Sequence, residues 1–430
     1  MNVAKVITIK ALTLAITMAC GSAFAAVPAL TTNGSQILSG GDVKSFSGNS
    51  FFWSNTGWKQ EKMYNAKVVK WLKDDWKSSI VRVALGVDND GSYIEDPTGN
   101  VQRIEKVIDA AIANDMYVII DFHSHHAEDH QQEAIEFFTQ MAQKYGQTNN
   151  VIYEIYNEPL QVSWSGVIKP YAEAVIAAIR AIDPDNLIVV GTPNWSQDVD
   201  EASRDPINDV NVAYTLHFYA GTHRQYFRDK AITALNNGVP LMVTEWGTVN
   251  ANGDGGVDAQ STDEWVDFMR TNHITNLNWA VSDKDEGASI IKPGVSPTGN
   301  WSDSDLTASG RYVRDIVRSW GTSADAGTGG DDSGAFSCVF TQGNTWNGGF
   351  QGSITVTNES KYPVSDWAIR WQFASGATVT NSWNANVTGS GVYTATPISW
   401  NQTMQPNQTF DIGLVVQGTG EPTILSDICR

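Results

Sequence analysis

The sequence predicts an α/β protein: a (β/α)8 barrel of the TIM type, followed by a small all-β sandwich. Three observations carry that prediction. Eight strand–helix pairs follow one another over about 290 residues, the signature of such a barrel. Two of the strands are apolar runs that end in a glutamate, Glu158 and Glu245. From Cys338 onward the pattern changes to short β-rich runs broken by Gly, Asn and Ser. A doubly wound open sheet is the alternative for the first part. It usually has fewer pairs, and no glycine-rich phosphate loop follows the first strand here.

Composition bounds the answer. A chain of 430 residues is too long for one ordinary core, so two domains are expected. Its formal charge of −19 argues against nucleic acid and against an anionic membrane surface. It favours a neutral ligand. The 16 Trp and 13 Tyr include many that fill cores, yet exposed flat rings also offer stacking platforms.

Residues 1–25 read as a secretory signal. Lys5 and Lys10 supply positive charge, an apolar stretch follows, and Ala23-Phe24-Ala25 is a small-x-small cleavage site. The apolar run is too short to span a membrane comfortably. Cys20-Gly21 hints at a lipoprotein site, but Thr17 is a poor residue three positions earlier. If Cys20 leaves with the signal, Cys338 and Cys429 remain, and two cysteines in a secreted chain suggest one disulfide.

The barrel domain is expected over residues 26–321. Its strands are predicted at 50–53, 79–85, 117–123, 151–158, 187–190, 212–217, 241–245 and 274–281. Its helices are predicted at 62–76, 101–114, 130–145, 166–182, 225–236, 262–271 and 310–320, with the helix after strand five poorly marked in the polar run 196–209. Residues 322–337 are rich in Gly, Asp, Ser and Ala and read as a flexible linker. Residues 338–430 form the sandwich. Charges are sparse there, which suits a neutral polymer.

The chemistry lies at the strand ends. Pro159 stops its strand because proline cannot donate to a ladder, leaving Glu158 at the C-terminal lip. In a parallel barrel that lip is where active sites sit. Glu245 repeats the design. Two carboxylates at strand ends are the minimum equipment for glycoside hydrolysis. Arg82 lies inside the apolar strand 80–85, so it demands an anionic partner. Glu245 is the candidate, which would keep that carboxylate ionised; a structural ion pair elsewhere is the alternative. His123, His217 and Tyr219 also fall at strand ends, and Trp279 lies in strand eight.

Together Tyr156-Asn157-Glu158-Pro159, Val243-Thr244-Glu245-Trp246-Gly247, Asp121-Phe122-His123, Leu216-His217-Phe218-Tyr219 and Asn278-Trp279 resemble glycoside hydrolase family 5, specifically its bacterial endoglucanases. The resemblance implies a retaining endo-β-1,4-glucanase without cofactor or metal, with Glu158 as acid/base and Glu245 as nucleophile. It implies that Asn157 holds the sugar 2-hydroxyl, that Arg82 and Tyr219 orient Glu245, and that His217 supports Glu158. His123 and Trp279 would touch the sugar beside the cleaved bond. Lys284 and Glu286 would form a polar subsite on the non-reducing side, and Trp195 a platform on the leaving-group side. The first loop departs from the family in lacking a His within Phe51-Phe52-Trp53-Ser54-Asn55-Thr56-Gly57. The C-terminal part resembles carbohydrate-binding module family 2, whose terminal disulfide Cys338 and Cys429 match. Trp346, Trp383 and Trp400 would be its cellulose-stacking set, with Trp367 and Trp371 packed in the core. Cellulose and related β-glucans are thus the expected partners of a secreted monomer.

Three rival readings remain open at this stage. The run from His123 to His130 holds four His and two acids, the makings of a metal site. Its place after the third strand argues against a metal hydrolase of this barrel type. A non-catalytic glucan-binding protein is opposed by the intact Glu158 and Glu245. Among enzymes, a mannanase or xyloglucanase on the same scaffold is the alternative.

Overall fold

The computed structural model describes residues 27–323, 336–360, 364–365, 367–373, 376–425 and 429. The expected signal segment 1–25 and most of the expected linker lie outside them. No helix among the described residues is long and apolar enough to cross a membrane.

The first domain is a closed barrel of eight parallel strands. A small antiparallel sheet precedes it: β1 (Leu30–Asn33), β2 (Gln36–Ser39) and β3 (Asp42–Val43). The barrel strands are β4 (Ser47–Phe51), β5 (Ile80–Gly86), β6 (Tyr117–His123), β7 (Val151–Glu154), β8 (Ile188–Val190), β9 (Val212–Tyr219), β10 (Leu241–Gly247) and β11 (Asn276–Val281). They run round in sequence order, and β11 closes on β4. The covering helices are α1 (Ala66–Asp74), α2 (Pro97–Ala113), α3 (Gln131–Tyr145), α4 (Lys169–Arg180), α7 (Gln225–Asn236), α8 (Ala259–Thr271) and α9 (Ala308–Ser323). Two single turns stand where the helix after strand five was poorly marked: α5 (Pro193–Ser196), whose Asn194, Trp195 and Ser196 have left-handed backbone, and α6 (Val199–Ala202).

Local chemistry sets these boundaries. Asn65 caps α1 by accepting from the Lys67 and Val68 N–H groups, and Asp258 caps α8 through Ser261. Asp96 caps α2 with Pro97 at the first helical position, which extends that helix upstream of the expected start. The strands are buried on both faces, as parallel strands under helices must be.

The barrel interior is layered. Ile80, Tyr117, Ile119, Ile152, Leu187, Val189, Ala213, Met242 and Leu277 form an apolar plug near the N-terminal strand ends. Val27, Leu30 and Ile37 pack on that plug, so the first small sheet closes the bottom. Above it the interior turns polar, with Arg82, Asp121, Glu154, Thr215 and Thr244 all buried. The site lies on top of this polar layer.

The second domain is all β. A four-stranded sheet has the order β12 (Phe336–Trp346), β13 (Gly349–Asn358), β20 (Thr409–Gln417), β16 (Thr378–Trp383). Another has the order β17 (Asn386–Ser390), β18 (Val392–Thr396), β15 (Ile369–Phe373), β21 (Pro422–Ile424). A short pair, β14 (Val364–Ser365) and β19 (Thr403–Met404), completes it. Ile354, Val356, Trp367, Trp371, Phe410, Ile412 and Leu414 fill the core. Cys338 and Cys429 are joined as a disulfide.

Candidate active site

Arg82 organises the polar layer. It is fully buried and meets five polar groups. Nε donates to Glu154 (2.6 Å). One terminal nitrogen donates to the Ser50 hydroxyl (3.2 Å) and Glu245 (3.3 Å). The other donates to the Asn157 side-chain oxygen (2.7 Å) and faces Asp121 at 2.9 Å. The expected partner Glu245 is present, but Glu154 and Asp121 sit closer. A guanidinium among three carboxylates stays charged, because the acids outweigh the cost of burial.

Glu245 reaches the same centre through an irregularity in its strand. The register of β10 shifts between Met242 and Glu245 against β9, and between Val243 and Trp246 against β11. A bulge places two consecutive side chains on one face. Thr244 and Glu245 both point inward as a result. The Thr244 hydroxyl donates to Glu154 (2.6 Å), and Tyr219 donates its hydroxyl to Glu245 (2.8 Å).

Glu158 stands beyond β7, whose ladder ends at Glu154. Its two oxygens have different partners: His217 Nδ1 at 2.8 Å and His125 Nε2 at 3.0 Å. The other nitrogen of His217 contacts the Thr244 hydroxyl (2.9 Å), which already spends its proton on Glu154. His217 therefore donates from both nitrogens and carries a charge. Burial opposes that charge, but Glu154 and Glu158 outweigh it and lift His217 to about 9. Burial likewise pushes Glu158 up, but the bonds from His125 and His217 prevail and hold it at about 2. Burial and the Glu158 charge push Glu245 above the usual carboxylate range, against the pull of His217, Arg82 and Tyr219. One oxygen of Glu158, one of Glu245 and a ring nitrogen of His217 lie within 4.8 Å of one another.

Aromatic rings wall the cleft. His123 is held neutral by burial and the Arg82 charge, with Nδ1 2.6 Å from Asp121. It stacks parallel on Trp279 at 5.1 Å and meets the Trp53 ring edge-on at 4.3 Å. Phe52 and Trp58 continue the wall, 5.9 Å apart. Lys284 pairs with Glu286 and sits 5.5 Å from the Trp58 ring centre and 5.7 Å from that of Phe52. Trp195 is 38% exposed and lies in a turn that bonds to the segment after Glu158.

Four contributors to the site are not among the residues expected from the sequence: Glu154, Asp121, Trp58 and His125. Glu154 and Asp121 were legible in principle, since each is an acid inside an apolar strand, as Arg82 is a base. Trp58 directly follows the loop already noted for its missing histidine. His125 was set aside as part of a polar run, yet it touches Glu158. Among the described residues, the one group with metal-ligand spacing is Glu158, His217 and Glu245. The histidine run does not gather into a site. His123 goes to Asp121, His125 to Glu158 and His130 to Asp88.

In the second domain Trp346, Trp383 and Trp400 are 50%, 40% and 53% exposed, whereas Trp367 and Trp371 are buried. Trp346 and Trp383 end the two edge strands of one sheet. Trp383 lies across β20 over Gly413, where an added Cβ would come 1.8 Å from the ring.

Comparison with known proteins agrees with this architecture. Residues 37–285 match the cellulase family (glycosyl hydrolase family 5), and residues 336–427 match a cellulose binding domain. Endoglucanase Z of Dickeya dadantii (strain 3937) is 60% identical over 319 residues, covering 73% of this chain and 73% of that protein. An endoglucanase of Clostridium saccharobutylicum is 46% identical over 257 residues, covering 59% of this chain and 57% of that protein. The catalytic domain of a Thermobifida fusca endoglucanase superposes with a TM-score of 0.64 at 34% identity, over 67% of this chain and 97% of that one. A structure from Cytophaga hutchinsonii gives 0.66 at 48% identity, over 68% of this chain and 95% of that one. On the family match to residues 37–285 and the extent of the first of these similarities, the chain belongs to glycosyl hydrolase family 5, the cellulases.

Proposed function

We propose that this chain is a secreted endo-β-1,4-glucanase that cleaves internal bonds of cellulose by double displacement with retention. The observation that carries the reading is the carboxyl pair Glu158 and Glu245, with one oxygen of each inside 4.8 Å. Retaining enzymes hold their carboxyl groups about 5–5.5 Å apart, and inverting ones leave roughly 6.5–9.5 Å for a water.

The partners divide the roles. Glu245 receives two donors, Arg82 and Tyr219, which suit an ionised nucleophile. Glu158 is bonded to two histidines, which suit a group that gives up and takes back a proton. Glu158 and His217 share the proton between them, and it rests on His217 Nδ1. Transfer along the 2.8 Å bond to Glu158 arms the acid. It also removes the Glu158 charge that pushes Glu245 up, together with the His217 charge that pulls it down, leaving Arg82 and Tyr219 to hold Glu245 ionised.

In the first step Glu245 attacks the anomeric carbon and Glu158 protonates the departing oxygen. In the second, Glu158 takes a proton from water, which displaces Glu245. Asn157, held by Arg82, faces the sugar 2-hydroxyl. His123 and Trp279 contact the sugar beside the cleaved bond. Lys284 and Glu286, with Trp58, serve the non-reducing side, and Trp195 the leaving-group side. Trp346, Trp383 and Trp400 stack on insoluble cellulose. Residues 1–25 are read as the export signal, 322–337 as a linker between barrel and sandwich, and the working unit as a monomer.

The test is a reducing-sugar assay on soluble cellulose, mixed-linkage glucan, mannan and xylan. Soluble cellulose and mixed-linkage glucan are expected to be cleaved, and Glu158→Gln and Glu245→Gln are expected to lose that activity while staying folded. Preference for mannan, or full turnover in either variant, would overturn the reading.

A further inference from the structure

We propose that the turn of residues 194–196 is a clasp that positions Glu158, and that the Ser196 hydroxyl is its decisive contact. The chain around Glu158 has left the β7 ladder, so its backbone carbonyls need other donors. The Tyr171 hydroxyl takes Ile155 (2.7 Å). One turn takes three of the rest. Ser196 Oγ donates to the Asn157 carbonyl (2.7 Å), the Trp195 N–H to Pro159 (2.7 Å) and the Asn194 N–H to Leu160 (2.9 Å). The bonds flank Glu158 on both sides.

The turn is built for this at a conformational cost. Asn194, Trp195 and Ser196 have φ of 60°, 58° and 55°, three non-glycine residues in succession in the left-handed region. Such residues normally occur singly, and they persist where the surroundings hold them. Gly191 lets the two segments approach, because a Cβ there would come 2.4 Å from the Tyr156 carbonyl oxygen. Ser196 and Asn157 are buried, and the Ser196 oxygen also accepts from the Thr192 N–H (3.3 Å). The hydroxyl thus ties the Thr192 backbone to Asn157. The same three residues expose the Trp195 ring, so the leaving-group platform and the acid share one rigid unit. Ser196 touches no reacting atom. It acts through the Asn157 carbonyl on the placement of the next side chain.

The inference rests on reading Glu158 as the acid, and the experiment separates the two. Ser196→Ala and Ser196→Gly are assayed on a phenyl β-cellobioside, whose leaving group needs a proton, and on a dinitrophenyl β-cellobioside, whose leaving group does not. A misplaced acid is expected to lower kcat/KM for the phenyl substrate by about ten- to hundredfold while leaving the dinitrophenyl value unchanged. Glycine accepts φ near 55° freely, so it carries the test if the alanine variant folds poorly. Matching losses in the two assign the effect to the hydroxyl. Equal losses on both substrates, or none on either, would overturn the clasp. Glu158→Ala is the control. If it lacks the selective pattern, the reading of Glu158 fails; if it has the pattern and the Ser196 variants do not, only the clasp fails.

Discussion

Arg82→Met removes the guanidinium that pairs with Asp121, Glu154 and Glu245 together. Methionine fills part of the space but donates nothing, so Glu154, Ser50, Glu245 and Asn157 each lose a hydrogen bond and Asp121 loses its ion pair. Breaking a buried ion pair from one side costs about 3–5 kcal/mol, because an uncompensated charge is left inside. A large domain loses roughly 2–4 °C of Tm per kcal/mol, so the barrel transition is expected to fall by roughly 6–20 °C. The sandwich transition is expected to stay. The penalty also depends on pH. Burial pushes Glu154 up, but Arg82 outweighs it and holds Glu154 below the usual range. A lowered carboxyl contributes stability that is present above its ordinary value of 4.5 and is lost as pH falls through the folded value. The variant lacks that contribution, so the gap from the parent is widest near neutrality and narrows in acid. Calorimetry of both proteins across that range is the assay. A barrel transition within about 1 kcal/mol of the parent at neutral pH would refute the view that Arg82 neutralises the polar layer.

Three further outcomes are expected. The folded value of His217, about 9, lies above its ordinary 6.5, so its stabilisation is present below 6.5 and fades as pH rises through 9; urea unfolding is expected to show a loss of up to about 3 kcal/mol across that window, absent in His217→Asn. Reduction of Cys338–Cys429, which closes a separation of 91 residues, is expected to weaken the sandwich transition by at most roughly 4–5 kcal/mol and to leave turnover of soluble substrate intact. Replacing Trp346, Trp383 and Trp400 together with Ala is expected to abolish retention on microcrystalline cellulose in a depletion isotherm, at about 1 kcal/mol of stacking per ring, without changing rates on soluble substrate.

The barrel was legible because its strands are long apolar runs between polar helices, and tertiary packing follows that period. Glu158 and Glu245 stood out for the same reason: each is a charge at the end of an apolar run. The opening sheet was not legible. Its strands have four, four and two residues, too short for alternation to register, and Leu30 and Ile37 are the apolar residues by which its strands join the plug. Glu154 was hidden inside the motif that drew attention to Glu158. Strand alternation alone points Glu154 inward, toward a layer already known to hold Arg82, so the pair was recoverable. His125 was not, since loop residues follow no period. The bulge at Glu245 and the left-handed turn at 194–196 are also silent in sequence, because neither uses glycine at the critical residue.

The central claim is that Glu245 forms a covalent bond to the sugar while Glu158 handles the proton. The most direct measurement is trapping with an activated deoxyfluoro cellobioside, followed by proteolysis and mass spectrometry of the labelled peptide. The account predicts one sugar per chain, on Glu245, with activity lost in proportion to labelling. A label on Glu158, or turnover with no trapped species and inverted product, would contradict it.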